Sequence, residues 1–319
     1  KIEFEIVFSC YTFDLKKRLE PLIAAGFTNS ETEIISNSLL KLTNRILNPN
    51  TGLWLDDAKK LSILDSRYEK LTKSNISKLE RIYWLIEDAK RYGTLPFAGL
   101  ARAGFIAVQI LRSLVTKNIF SETDYNSFMR GLNTVSGQLS KDISILDKSS
   151  FLKTYGHLRP GTYDILSPRY DAEPELYFNW QNKKVGLANE MPFEISLSKR
   201  KELTKILKMH DLQVDSENLL KFIKSGIELR ELSKFKFTRN LSDVIEIIAD
   251  FGKELGINRE DLAYCDIAVF KELYVTTTDT KKLILNSIQK GKERYKETTK
   301  LTLPPLISSP NDIWGFQWP

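Results

Sequence analysis

Residues 96–115 indicate the fold class, and they read PFAGLARAGFIAVQILRSLV. Apolar and small side chains cover more than one side of this segment if it is helical. Pro96 suits the first turn of a helix, where its missing N–H is not needed. A helix that is apolar on several sides is normally packed by neighbours all round. The segment therefore predicts the central helix of a mainly helical protein.

Helical spacing of apolar residues continues from this segment toward both ends of the chain. Stripes at intervals of three and four residues are Ile34, Ile35, Leu39, Leu42 and Ile46; Leu61, Leu64, Tyr68 and Leu71; Leu203, Ile206 and Leu207; Leu219, Phe222, Ile223 and Ile227; and Leu241, Ile245 and Ile248. Two sequences of the capping-box type, 30–33 and 77–80, predict helix starts. Residues 121–139 predict one further amphipathic helix.

Residues 156–197 interrupt this pattern with four prolines, three glycines and many aromatic residues. Within them, 175–180 and 193–197 predict short strands, as does the alternation of apolar residues over 1–8. We therefore expect a mainly α, irregular multi-helix domain with a long loop-rich central segment and minor short β-strands.

The same pattern predicts the organisation of the chain. Residues 1–155 form a helical N-terminal part, 156–197 the loop-rich segment, and 198–303 a helical C-terminal part, together expected to make one compact domain. The chain begins at Lys1, and residues 304–319 are rich in proline, which predicts a stiff linker. We expect the chain to be a piece of a longer polypeptide, with this linker leading toward a missing domain.

Composition narrows the function classes. The 319 residues carry 47 basic and 41 acidic side chains, a net charge of +6, and the basic residues are scattered beside acids. Nucleic-acid binders usually concentrate them in one stripe. The sequence shows neither an uninterrupted apolar run long enough to span a bilayer nor a secretory signal pattern. We expect a cytoplasmic protein without nucleic-acid or membrane partners, and its two cysteines predict no disulfide framework.

Common catalytic motifs are absent from the sequence. The chain has no Gly-rich phosphate loop, no Gly-x-Ser-x-Gly and no Cys-x-x-Cys. Its two histidines, His157 and His210, stand at no spacing typical of a zinc site. We therefore expect no metal site and no cofactor in this chain, and we interpret His210 as structural.

The candidate site lies in residues 155–164, which read YGHLRPGTYD, followed by SPRY at 167–170. Here His157, Arg159, Asp164 and Arg169 stand on a backbone constrained by glycines and prolines. Arginines on such a loop suit bidentate recognition of phosphate or carboxylate groups. The alternative is a loop held together by its own Arg–Asp pairs and a His–carbonyl bond.

Two further arginines, Arg91 and Arg102, flank the turn that opens the central helix. They are candidate substrate-binding residues because a helix N-terminus attracts anions. In the alternative interpretation Arg102 extends from a buried helix to water. Arg230 and Arg239 are interpreted as structural ion-pair formers.

Residues 155–170 resemble the Tyr-Gly-His-Arg-Gly-Pro-Gly-Glu-x-Asp and Pro-Arg-Trp pattern of the rifampicin phosphotransferase-like family. That family belongs to the phosphoenolpyruvate synthase and pyruvate phosphate dikinase group. Residues 230–235, which read RELSKF, and 237–239, which read FTR, resemble the helical region that precedes the phosphohistidine domain of those enzymes. The segment 294–305 resembles the entry to that domain.

The resemblance implies a division of labour. In these enzymes an ATP-grasp domain uses ATP and Mg²⁺ to phosphorylate a histidine on a swivelling domain, which then carries the phosphoryl group to a small-molecule acceptor. This chain resembles the acceptor-binding helical domain, with both other domains as flanking partners in the same polypeptide. His157 is then a possible general base, and the substrate-binding residues are Tyr155, Arg159, Asp164 and Arg169, with Arg91 and Arg102.

Two departures from the family pattern affect the acceptor. Leu158 stands where the family has Arg, and Thr162 stands where it has Glu. A sugar, an aromatic natural product and a small carboxylate all remain open as acceptors. The alternative function is a non-catalytic helical binding or interaction module, in which residues 156–170 pack under helices instead of facing a pocket.

Overall fold

The computed structural model of the chain describes residues 7–180, 193–275, 279–304 and 306–315. Within these ranges the regular structure is helical and no strand occurs. The helices are α1 (Leu15–Ala24), α2 (Asn29–Leu47), α3 (Leu53–Lys73), α4 (Lys78–Asp88), α5 (Leu95–Thr116), α6 (Glu122–Arg130), α7 (Val135–Ile145), α8 (Lys148–Tyr155), α9 (Pro174–Tyr177), α10 (Leu197–Met209), α11 (Ser216–Glu254), α12 (Arg259–Leu262), α13 (Ala268–Val275), α14 (Thr280–Thr298) and α15 (Pro310–Gly315).

The central helix pair consists of α5 and the 39-residue α11. They approach closely because small residues meet where they cross. A Cβ atom on Gly226 would lie 3.0 Å from the carbonyl oxygen of Ala103, and one on Gly104 would lie 2.9 Å from that of Gly226. The sequence prediction of a central helix over 96–115 is confirmed, since α5 is buried along most of its length.

Two apolar cores share α11. The first packs its N-terminal half, including Phe222 and Ile223, against α5, α6 and α10. The second packs its C-terminal half, including Val244 and Ile248, against α4, α13 and α14. One continuous helix therefore links both cores. Residues 156–170, which we call the candidate loop, contact the C-terminal half of α11.

A π-helical turn, Ala89–Thr94, joins α4 to α5 without a break. Its Gly93 packs so closely on α11 that a Cβ atom there would lie 2.4 Å from Cβ of Phe237. The continuous helical stretch Lys78–Thr116 is long and apolar enough to cross a membrane by length and composition alone. Half of its most apolar window is buried inside the protein, and a core helix passes the same test.

The predicted strands are corrected by the structure. Residues 174–177 form the short helix α9, with Pro174 in its first turn, and 193–196 have no regular structure before α10 begins at Leu197. A strand requires a partner edge, and neither segment has one among the described residues. Residues 7–8 are also irregular, and residues 1–6 and 181–192 lie outside the described ranges.

Three features of the helices also differ from the sequence-based predictions. The N-cap of α2 is Thr28, whose side chain accepts the N–H of Glu31, instead of Ser30. The predicted helix over 121–139 is two helices, because Thr134 caps a new start by accepting the N–H of Gly137. In the predicted linker, residues 310–315 form α15. The capping box at Ser77 and Glu80 is confirmed.

Candidate functional site

A cavity of about 270 Å³ lies between α7, the loop after α8 and α11. Most of its wall is apolar. The residues that line it are Val135, Ser136 and Leu139 of α7; His157, Leu158, Arg159 and Thr162 of the loop; and Glu231, Lys234, Phe235, Thr238 and Ser242 of α11. We call it the loop pocket. The candidate loop therefore both faces a pocket and packs on helices.

The two limbs of the loop are held together at the end of α8. Gly156 lets the chain turn tightly at the end of α8, since a Cβ atom there would lie 2.3 Å from the carbonyl oxygen of Leu152. The N–H of Tyr170 donates to the carbonyl of Leu158 at 2.9 Å, and the N–H of Asp171 donates to that of Gly156 at 3.1 Å. These bonds bring residues 156–158 and 170–171 side by side.

Tyr155 is buried beside the pocket and does not line it. Its hydroxyl donates to the carboxylate of Asp142 on α7 at 2.8 Å. Burial and this neighbouring carboxylate raise the pKa of the Tyr155 hydroxyl, which keeps it a neutral donor. Tyr155 therefore fixes α8 against α7, one wall of the pocket.

The Arg159 side chain lines the pocket. Both terminal nitrogens of its guanidinium donate hydrogen bonds to other groups of the protein. Its side chain is 1% exposed. One terminal nitrogen donates to Glu246 at 2.7 Å and to the Ser242 hydroxyl at 3.2 Å, and the other donates to the carbonyls of Asp164 and Ser167. The guanidinium thus ties both limbs of the loop to α11.

Arg169 also attaches the loop to α11. It binds Asp171 through two nitrogens, at 2.9 and 2.7 Å, and Asp243 of α11 at 2.6 Å. Tyr68 of α3 donates its hydroxyl to the other oxygen of Asp243 at 2.6 Å. Arg169 does not line the loop pocket. Both arginines therefore serve the loop's own architecture, as in the alternative interpretation of the sequence.

Asp164 is exposed, and its carboxylate accepts the N–H of Leu166 at 2.8 Å. Its backbone carbonyl, and not its carboxylate, meets the Arg159 guanidinium. Asp164 therefore shapes the turn of the loop and lies outside the pocket lining.

His157 is one of the buried polar residues that line the pocket. It is 7% exposed, and its ring lies 4.7 Å from that of Phe235, centroid to centroid. Its Nε2 atom has no hydrogen-bond partner among the described residues. Burial first, and then the positive charges of Arg239 and Arg169, lower the pKa of His157 to about 4. The imidazole is therefore neutral at physiological pH.

Sequence reasoning missed the α11 wall of the pocket. Glu231, Lys234, Phe235 and Thr238 recur at intervals of three and four residues and share one helix face. Lys234 is exposed, and no carboxylate of the described residues lies within ion-pair distance of it. Glu231 accepts the N–H and hydroxyl of Ser136, at the start of α7. The spacing of these four residues could have been recognised in the sequence. However, the sequence around them does not indicate which face of α11 contacts the loop.

Arg91 and Arg102 are both exposed and lie outside the pocket lining. Arg91 lies 3.6 Å from Glu87 on its own helical turn. Arg239, in turn, pairs with Asp65 of α3 at 3.0 Å, consistent with a structural ion pair. The structure therefore brings His157 and Arg159 to one cavity and places the other five candidates outside its lining.

No group of three or more His, Cys, Asp or Glu side chains that could hold a metal ion occurs in the described part of the chain. No known protein-family model matches the chain, and comparison with curated proteins and with solved structures also gave no match.

Proposed function

We propose that this chain is the acceptor-binding helical domain of a dikinase-like phosphotransferase, with the loop pocket as its acceptor site. The phosphoryl group would come from ATP through a phosphohistidine on a separate swivelling domain. The observation that carries the proposal is His157: the stretch that resembles the family lines a cavity with a buried, neutral imidazole whose Nε2 is unpartnered among the described residues.

The imidazole suits an acceptor hydroxyl. A neutral His157 can accept a hydrogen bond from that hydroxyl at Nε2 and so orient its oxygen. With a pKa of about 4 it is a weak base in the unliganded pocket. An incoming phosphoryl group brings negative charge, which raises the pKa of a nearby imidazole. His157 can then take the hydroxyl proton as the acceptor oxygen bonds to phosphorus and the P–N bond to the carrier histidine breaks, which releases that histidine.

Lys234 is the cation best placed to meet the phosphoryl charge. Phosphoryl transfer depends mainly on positioning and electrostatic stabilisation, so the site needs a positive group with capacity for a new anion. The guanidiniums of Arg159 and Arg169 are taken up by Glu246, Asp171 and Asp243. The sequence analysis predicted that these arginines bind the anionic group. In this proposal Lys234 binds it instead.

The experiment joins the chain to flanking ATP-grasp and phosphohistidine domains. Phosphorylated product is followed by ³¹P NMR with a sugar, a hydroxylated aromatic compound and a small hydroxy acid as acceptors. We expect ATP-dependent product from one acceptor class and strong loss of that product in His157→Phe and Lys234→Met. The matched control is Lys224→Met, an exposed lysine of the same helix outside the pocket lining.

The second candidate function is a non-catalytic binding module. One observation favours it: both loop arginines form ion pairs with carboxylates of α11. Under that function His157→Phe weakens binding of a small molecule while no acceptor is phosphorylated. Phosphorylation of the carrier histidine without transfer to any acceptor class would support the module and contradict the phosphotransferase.

A further inference from the structure

A second cavity, a groove of about 650 Å³, lies between residues 263–269 and α14. It shares no lining residue with the loop pocket. Its wall is more polar than that of the loop pocket, with charged groups and two tyrosines beside apolar side chains. We call it the α14 groove.

The floor of the groove depends on Gly291. A Cβ atom there would lie 1.9 Å from the carbonyl oxygen of Tyr264, so α14 packs directly on the Tyr264 backbone. The rings of Tyr264 and Tyr295 meet edge to face, with centroids 5.6 Å apart. Both rings line the groove and supply flat apolar surface next to its charged wall.

Two cations line the α14 side of this groove. Lys290 and Arg294 are one helical turn apart, and residues at that spacing lie about 6 Å apart at Cβ. No carboxylate of the described residues is within ion-pair distance of either one, whereas their neighbour Lys292 pairs with Asp261. The opposite side carries Glu272 and the exposed Asp266, too far away to neutralise them by direct pairing.

We propose that the α14 groove binds a small polyhydroxylated molecule that bears a phosphate or carboxylate group, of the sugar-phosphate class. Lys290 and Arg294 receive the anionic group together, since an ammonium and a guanidinium one turn apart can contact the same oxyanion. Glu272 accepts hydrogen bonds from hydroxyls of the ligand, and the Asn286 amide both donates to and accepts from them. The tyrosine rings cover the apolar face of the ligand, as aromatic residues do in small-molecule sites.

Cys265 supplies a reporter for this groove. It lines the groove and is half-buried, whereas the other thiol, Cys10, is fully buried. Burial raises the pKa of both thiols, that of Cys10 to about 12. A disulfide reagent such as 5,5′-dithiobis(2-nitrobenzoate) at mildly alkaline pH therefore reacts first at Cys265, and a groove ligand should slow that reaction.

The test measures the labelling rate of Cys265 with three probes: glucose 6-phosphate, glucose and inorganic phosphate. We expect saturable protection by glucose 6-phosphate at lower concentration than by phosphate, and none by glucose. Lys290→Gln and Arg294→Gln should each weaken protection roughly tenfold to a hundredfold, the effect of one charge-assisted hydrogen bond. Arg294→Lys should retain only part of it, because the guanidinium fork is lost.

The matched control is Lys282→Gln, which removes one positive charge, as each test variant does, from an exposed position of α14 outside the groove lining. Its protection should equal that of the unchanged chain. Equal protection by glucose and glucose 6-phosphate, absence of protection by any probe, or loss of protection in the control would each overturn the proposal. Cys265→Ser defines the background from Cys10, and circular dichroism verifies that every variant is folded.

Discussion

His157 shows at the residue scale how the fold changes chemistry that the sequence leaves open. A histidine in water is about half protonated near pH 6.5. Here the imidazole lies among apolar side chains, and two guanidiniums contribute positive potential. Each of these effects disfavours the imidazolium, so the same residue type becomes a neutral hydrogen-bonding group.

The first prediction concerns this titration. With two histidines in the chain, their Cε1–H signals can be assigned by comparing the chain with His210→Asn. We expect the His157 signal to titrate with a pKa of about 4. The His210 pKa should be lowered less, through partial burial and then Lys117. An ordinary pKa for His157 in the folded chain would contradict the buried, neutral state.

The second prediction links this pKa to stability. The folded pKa lies below the unfolded one, so the neutral form stabilises the fold above about pH 6.5, and that stability is lost as the pH falls toward 4. The free energy involved is on the order of 3 kcal/mol. Urea unfolding from pH 7 to pH 4.5 should show a smaller loss for His157→Gln than for the unchanged chain. Parallel curves would indicate that another group dominates.

The third prediction concerns the buried guanidinium of Arg159. Lysine retains its charge but cannot reach Glu246, Ser242 and the two loop carbonyls together. Arg159→Lys should lower the free energy of unfolding by roughly 1.5–3 kcal/mol, the value of hydrogen bonds to a charged group. Urea unfolding measures it. Arg91→Lys, at an exposed arginine, is the control and should change stability by less than about 0.5 kcal/mol. Equal effects would contradict the fastening role.

At the element scale, α11 organises the candidate site because its successive turns present different groups to the loop. One face supplies the pocket residues Glu231, Lys234, Phe235 and Thr238. The next turns supply Ser242, Asp243 and Glu246, which hold the two loop arginines. A long helix keeps these positions at fixed rotation and rise, so the loop and the pocket wall are aligned by one rigid element.

The fourth prediction tests the contact between the π-helical turn and α11. Gly93→Ala would place a Cβ atom 2.4 Å from Cβ of Phe237, which cannot move without moving the helix backbone. We expect a loss of roughly 1–3 kcal/mol in unfolding free energy, the usual cost of overpacking. Gly131→Ala is the control, since the nearest atom to its new Cβ would be 3.4 Å away. Thermal or urea unfolding that leaves Gly93→Ala unchanged would refute the contact.

At the scale of the whole molecule, the chain offers no phosphate-cradling loop in its sequence. We therefore predict that the isolated chain neither hydrolyses ATP nor binds it stably. Isothermal titration calorimetry with ATP and Mg²⁺ measures this directly. Binding of the nucleotide at micromolar concentration would overturn the prediction and the division of labour on which the proposed function rests.

The helical class, the helix starts after Ser77 and Ser121 and the irregular 156–180 stretch were predictable because they depend on local chemistry. Capping at Ser77 involves residues three apart, and the apolar stripes repeat every three to four residues. The short strands were predicted wrongly over 175–180 and 193–197. Alternation of side chains predicts a strand only when a second strand pairs with it, and that partner is not a local property.

The amino-acid sequence alone was enough to predict the helical class and the loop that forms one wall of the loop pocket. The division into two cores, the α11 wall of the pocket and the partner of each charged group depend on how the helices pack together. Arg159 finds Glu246, 87 residues along the chain, and Arg169 finds Asp243, 74 residues along. Local periodicity sets which side of a helix is apolar, whereas the packing of helix on helix sets which polar faces come together. That is why the arginines hold the loop and His157 is left neutral in the pocket.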